Sequence, residues 1–165
     1  MIEYGIAGGA SLRMWRDFFS PTTRIVGFDI NLDGDPHLPN LDCYYANQDS
    51  IPSLQRGISD SGITSVDVIV EDGGHLSTQQ RNSLRVSWPL LVSGGIYILE
   101  DLHTNILHWY PKSAYHNESP TMFEDLYKAS LGLPNSLPIN TSEISQILFF
   151  MQPKTTSMTS VLYKV

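Results

Sequence analysis

Residues 66–75 read "VDVIVEDGGH", and the fold follows from what this stretch does halfway along. "VDVIV" (66–70) is a run of Val and Ile of the kind that a parallel sheet buries on both faces. It then stops on two carboxylates, two glycines and a histidine. Glu71, Asp72 and His75 therefore stand where the chain leaves the core, at the carboxyl end of a strand. In open α/β sheets that edge is where ligands bind.

The flanking sequence repeats the alternation. "MIEYGIA" (1–7) is a short strand running into glycines, and "SLRMWRDFF" (11–19) is a helix with Leu12, Trp15, Phe18 and Phe19 on one face. "RIVGFDI" (24–30) is a second strand ending in Asp29. "LDCYYANQD" (41–49) is a third, followed by a helix from about Pro52 to Ser59. Beyond the opening stretch, "STQQRNSLRVSWPLL" (77–91) reads as a helix capped by Ser77 or Thr78. The glycine pair of "GGIYILED" (94–101) closes that helix and leads into a fifth strand. A βαβαβαβαβ order predicts a Rossmann-like, doubly wound sheet, mostly parallel, with right-handed crossovers. Later, "TMFEDLYKASLGL" (121–133) is one helix, and "QILFFMQ" (146–152) and "SMTSVLYKV" (157–165) form an antiparallel hairpin about a turn at "PKTT".

The 165 residues are expected to form a single domain. Residues 102–145, irregular and polar-aromatic at their start, are read as an insertion over the ligand edge. Trp109, Tyr110, Tyr115 and the four histidines other than His75 are compatible with stacking on a sugar face, and equally with core or surface positions. Net charge is −7 with only ten Lys plus Arg, so a nucleic-acid backbone is an unfavourable partner and a small molecule or a cation suits better. No stretch is long and apolar enough for a membrane span, and "MIEYGIAGG" lacks a signal peptide's basic start. With Cys43 as the single cysteine, a reducing, cytoplasmic setting is expected.

Three candidate sites lie along the edge. In "EYGIAGGAS" (3–11), Gly5, Gly8 and Gly9 let the backbone turn sharply and approach a ligand, with Glu3 two residues ahead. Ala7 and Ala10 occupy positions that a dinucleotide fingerprint gives to glycine, which disfavours a nicotinamide-dependent oxidoreductase. An ordinary strand-to-helix turn is the alternative. Asp29 is placed to accept hydrogen bonds from both hydroxyls of a ribose, or to serve as a turn residue. Gln48 and Asp49 reach an adenine, or Asp49 caps the next helix. Finally, Asp72 ends the fourth strand and Glu100 and Asp101 end the fifth; neighbouring strands would bring three carboxylates to one point. Such a group repels itself unless a divalent cation compensates it, and oxygen donors suit Mg²⁺, Mn²⁺ or Ca²⁺. His75 could reach the same place as a general base. Each of these side chains could also be a plain solvated strand-end residue.

"EYGIAGGASLRMWRDFF", "GFDI", "VIVEDGGHLSTQQ" and "GGIYILEDLHT", in this order, resemble the class I S-adenosylmethionine-dependent methyltransferases, in particular the Mg²⁺-dependent O-methyltransferases of macrolide sugars and other natural products. The resemblance covers residues 2–104, and the final hairpin is similar to that fold's last two strands. It implies that Glu3, Gly5, Gly8, Gly9 and Ser11 hold the methionine part of S-adenosylmethionine, that Asp29 binds the ribose, and that Gln48 and Asp49 lie by the adenine. It implies that Asp72, Glu100 and Asp101 bind Mg²⁺, which holds two sugar hydroxyls. His75, with Asp72 beside it, would carry the catalysis by taking the proton of the hydroxyl being methylated. His103 and Thr104 would line the acceptor pocket. The resemblance also has departures. Glu71 and Gly74 stand where the family has Asp and Ser, and the sequence starts at the first strand, where family members carry covering helices or a domain. The expectation is that the start has been lost, that a partner covers the first strand, self-association included, or that cofactor binding is weak. A non-catalytic module that binds S-adenosylmethionine is therefore the alternative to an active enzyme.

Overall fold

The computed structural model describes residues 1–105, 119–152 and 157–165. Trp109, Tyr110, Tyr115 and the "PKTT" turn lie outside the described residues. The strands are β1 (Ile2–Tyr4), β2 (Ile25–Asp29), β3 (Leu41–Tyr45), β4 (Val66–Glu71), β5 (Leu91–Leu99), β6 (Ile144–Met151) and β7 (Met158–Lys164). The helices are α1 (Ala10–Phe18), α2 (Ile51–Ser61), α3 (Ser77–Ser87) and α4 (Met122–Ser130).

One seven-stranded sheet has the order β3-β2-β1-β4-β5-β7-β6. The first five strands run parallel. β7 inserts antiparallel between β5 and β6, so the expected hairpin forms and closes the far side. The strand order reverses between β1 and β4. That is the switch point where the loops of an open sheet diverge and leave a crevice. Ile2, Tyr4, Val26, Phe28, Ile69, Tyr97 and Leu99 pack under α2, α3 and α4 on one face. Met1, Ile6, Leu12, Ile25, Leu41 and Val70 pack beside Trp15 and Phe19 on the other, where α1 lies.

Several local expectations are corrected. β2 and β3 are joined by an irregular loop without a helix, in which Asp29, Asn31 and Asp35 each accept the backbone N–H two residues on. Asn31 performs this for Asp33, so repeated side-chain turns replace helical bonds. Phe18 is 73% exposed and does not share the buried face of Leu12. α3 is preceded by Leu76, whose N–H donates to Gln79, and Ser77 is already inside the helix. Pro89 ends α3 in a 3-10 turn over 88–90, and Gly94 and Gly95 lie inside β5. There the pairing with β4 jumps from Val66–Leu91 to Val68–Ile96; the glycine pair serves a bulge, with Gly94 at φ +78°. Ser50, not Asp49, caps α2 by accepting from the Ser53 N–H.

Candidate active site

Two adjoining clusters occupy the carboxyl edge at the switch point. The first is a pocket of about 300 Å³ with Gly5, Ile6, Ser11, Asp29, Gln48 and Asp72 among its walls. Gly5 has φ +87°, and a Cβ there would overlap the carbonyl oxygen of Asp72; only glycine lets β1's end pass so close to β4's. Gly9, at φ +71°, packs in the same way against the Gly34 carbonyl. Gly8 faces open space, and its carbonyl accepts from Arg13.

Asp29 accepts the Ile6 N–H at 2.7 Å and the Asn31 N–H at 2.9 Å, so its carboxylate braces the glycine loop while lining the pocket. Glu3 lies beneath the loop, buried, receiving Ser11 Oγ and Trp15 Nε1, each at 3.1 Å. Burial pushes its carboxyl up to about 7 against those two hydrogen bonds. Gln48 is also turned inward: its amide donates to Glu71 at 2.6 Å and to Ser83 at 2.7 Å, and its oxygen accepts the Gly74 N–H. It touches the pocket as part of its wall. Asp49 stays at the rim, receiving Gln79 Nε2 at 3.0 Å.

The second cluster is Asp72, His75 and Asp101, which bring one donor atom each to within 4.8 Å of one another. Such an arrangement fits a single divalent ion held mainly by oxygen. Glu100 stands beside this group, close enough for Asp72 and Asp101 to act on its charge after burial has already raised its pKa. Burial, then Asp101, pushes Asp72 up to about 6. His75 is lowered by burial, with Asp101 opposing. His75 Nε2 lies 3.5 Å from one Asp101 oxygen and His103 Nδ1 3.6 Å from the other. His75 and Asp101 both adopt left-handed backbone, φ +60° and +53°, which non-glycine residues avoid and which clusters at functional sites. Thr104 is buried, with its hydroxyl directed at the carbonyls of Asp101 and His75.

The departures at 71 and 74 have a local explanation. Glu71 is long enough to reach Gln48, and a side chain at Gly74 would strike the end of Gln79. Burial pushes the Glu71 carboxyl up to about 7. Sequence reasoning missed Gly34, where a Cβ would overlap the Ala7 carbonyl, and Gln79 in the pocket wall. "DGD" (33–35) was the available signal for Gly34.

An open sheet with a glycine loop after β1, an acidic residue ending β2 and an acidic cluster at the switch point is the arrangement in which α/β sheets of this kind bind ligands. No protein-family model matches the chain. A tetracenomycin-rhamnoside 3'-O-methyltransferase from Streptomyces olivaceus is 35% identical over 115 residues, 63% of this chain and 28% of that protein. Demethylmacrocin O-methyltransferase from Streptomyces fradiae is 30% identical over 152 residues, 83% of this chain and 34% of that protein. In structure the chain is similar to MycE, a methyltransferase of mycinamycin biosynthesis solved with Mg, SAH and mycinamycin VI: TM-score 0.72 at 24% identity, covering 99% of this chain and 43% of that one. The chain has the class I methyltransferase fold. It spans about a quarter to a third of the length of the curated relatives it matches. Among the described residues no helix is long and apolar enough to cross a membrane.

Proposed function

We propose that this chain carries the cofactor and cation sites of an S-adenosylmethionine-dependent O-methyltransferase acting on a hydroxylated, sugar-containing small molecule. The observation that carries the proposal is the convergence of Asp72, His75 and Asp101 against the pocket that Asp72 also lines. The sugar O-methyltransferases to which the chain is similar supply the acceptor class, and a net charge of −7 agrees with a small molecule over nucleic acid.

S-adenosylmethionine would lie in the pocket beside Asp29 and the Gly5–Gly9 loop, and Mg²⁺ would be held by Asp72 and Asp101 with Glu100 alongside. When bound, the cation supplies Lewis acidity that eases loss of a proton from a sugar hydroxyl, and the sulfonium supplies the methyl group. The chain's own part is proton acceptance and alignment. Burial favours the neutral form of His75, whose Nε2 faces the cluster 3.5 Å from an Asp101 carboxylate oxygen. Asp101 stabilises the imidazolium that forms when Nε2 takes the hydroxyl proton. The close passage of Gly5 over Asp72 sets the pocket and the cluster side by side, as an in-line transfer needs. A single cysteine suits a cytoplasmic setting for such an enzyme.

Calorimetric titration with S-adenosylhomocysteine, followed by a methyl-transfer screen of glycosylated acceptors with Mg²⁺ or with chelator, tests the proposal. Micromolar binding and Mg²⁺-dependent transfer are expected. Binding without transfer to any acceptor would favour the non-catalytic module, and no binding to a folded chain would overturn the proposal.

A further inference from the structure

The cation cluster rests on two residues in unfavourable backbone conformations, and one hydroxyl lies against both of them. Thr104 Oγ1 is 2.9 Å from the carbonyl oxygen of Asp101 and 3.3 Å from that of His75. The contact with Asp101 is the local back-bond common in a 3-10 turn. The contact with His75 spans 29 residues and joins the loop after β4 to the loop after β5.

The direction of these bonds is set from behind. Asn105 Oδ1 receives Ser77 Oγ at 3.1 Å and the Phe123 N–H at 3.2 Å, so the other end of the amide must face Thr104. Asn105 Nδ2 accordingly donates to Thr104 Oγ1 at 3.1 Å. The Thr104 oxygen is occupied as an acceptor, and its one proton is left for the two carbonyls. Ser77 in turn accepts the Met122 N–H at 3.0 Å. Ser77, Thr104 and Asn105 are all buried, so water does not compete for these bonds. The chain of contacts runs from the first turn of α4, through Asn105, to the backbone that aims His75 and Asp101.

We infer that Thr104 is a positioning residue: relayed through Asn105, its hydroxyl holds the His75 and Asp101 backbones in the geometry that presents the Asp101 carboxylate to a divalent cation with the His75 imidazole beside it. The inference rests on the proposed cation site. Partners one step behind the ligands set ligand orientation, and losing one costs affinity for the metal while the fold remains.

The test compares the parent with Thr104→Val, which keeps the shape and removes the hydroxyl, and Thr104→Ser, which keeps the hydroxyl. Mn²⁺ affinity is measured by electron paramagnetic resonance, and backbone amide exchange is followed over residues 73–76 and 101–105. The expected result is roughly tenfold weaker Mn²⁺ binding and faster exchange in both segments for Thr104→Val, with Thr104→Ser close to the parent. Parental affinity and parental exchange in Thr104→Val would overturn the inference, as would equal losses in Thr104→Ser. If the parent itself binds no Mn²⁺, the cation site fails; the positioning role then stands only if exchange rises in Thr104→Val and not in Thr104→Ser.

Discussion

The pocket and the cation cluster share Asp72, yet they are built on opposite terms. On the pocket side the polar groups are satisfied by the protein: Asp29 has two backbone N–H partners, Glu3 has Ser11 and Trp15, and Gln48 has Glu71, Ser83 and Gly74. On the other side Asp72 and Glu100 are raised by burial and by their neighbours' charge, His75 Nδ1 is enclosed without a hydrogen-bond partner among the described residues, and two backbones are strained. In the first half these groups have hydrogen-bond partners within the protein, although burial still raises Glu3 and Glu71 to about 7. The other carries negative charge that a bound cation would compensate, which is the state expected of a metal site.

The largest effect should come from breaking the cluster alone. Asp101→Asn, in the cluster and outside the pocket wall, is expected to reduce methyl transfer by roughly 10³-fold and to abolish Mn²⁺ binding, while S-adenosylhomocysteine affinity stays within about threefold; calorimetry beside a transfer assay checks both. Gly5→Ala strikes the point where the halves meet, combining a φ of +87° with overlap on the Asp72 carbonyl. A loss of about 3 kcal/mol in urea denaturation is expected. Gly8→Ala, placed in open space, should stay within about 0.5 kcal/mol of the parent.

Breaking the pocket alone should be milder. Asp29→Asn removes the charge that receives the Ile6 N–H, and is expected to weaken S-adenosylhomocysteine binding roughly ten- to hundredfold with Mn²⁺ affinity unchanged. The smallest effect concerns pH. Glu3 holds its proton to about pH 7 in the fold against 4.5 ordinarily, so its contribution to stability is full below about 4.5 and is lost as pH rises through 7. Because Trp15 Nε1 donates to that carboxyl, tryptophan fluorescence should titrate with a midpoint near 7, and Glu3→Gln should remove the transition. Persistence of the transition in Glu3→Gln would assign it to another group.

What the sequence reveals follows the same division. Strand identity and the parallel order were legible because apolar runs such as "VDVIV" end on polar clusters, and the hairpin because two strand runs lie too close for a crossover. The inward turn of Gln48 was not legible, since its partners Glu71 and Ser83 lie 23 and 35 residues away. The roles of Gly94 and Gly95 were misread because a bulge and a helix end use the same residue type. Nothing in "LEDLHT" shows that the Thr104 hydroxyl reaches the His75 carbonyl, since that contact is made by the register of β4 against β5.

The measurement that tests the central claim most directly is anomalous diffraction from crystals grown with Mn²⁺ and S-adenosylhomocysteine. A Mn²⁺ peak within bonding distance of the Asp72 and Asp101 carboxylates, beside ligand density in the Gly5–Asp29 pocket, is the predicted result. Ligand density in that pocket with no peak at Asp72 and Asp101 would contradict it, leaving a cofactor fold whose acidic cluster serves some other end.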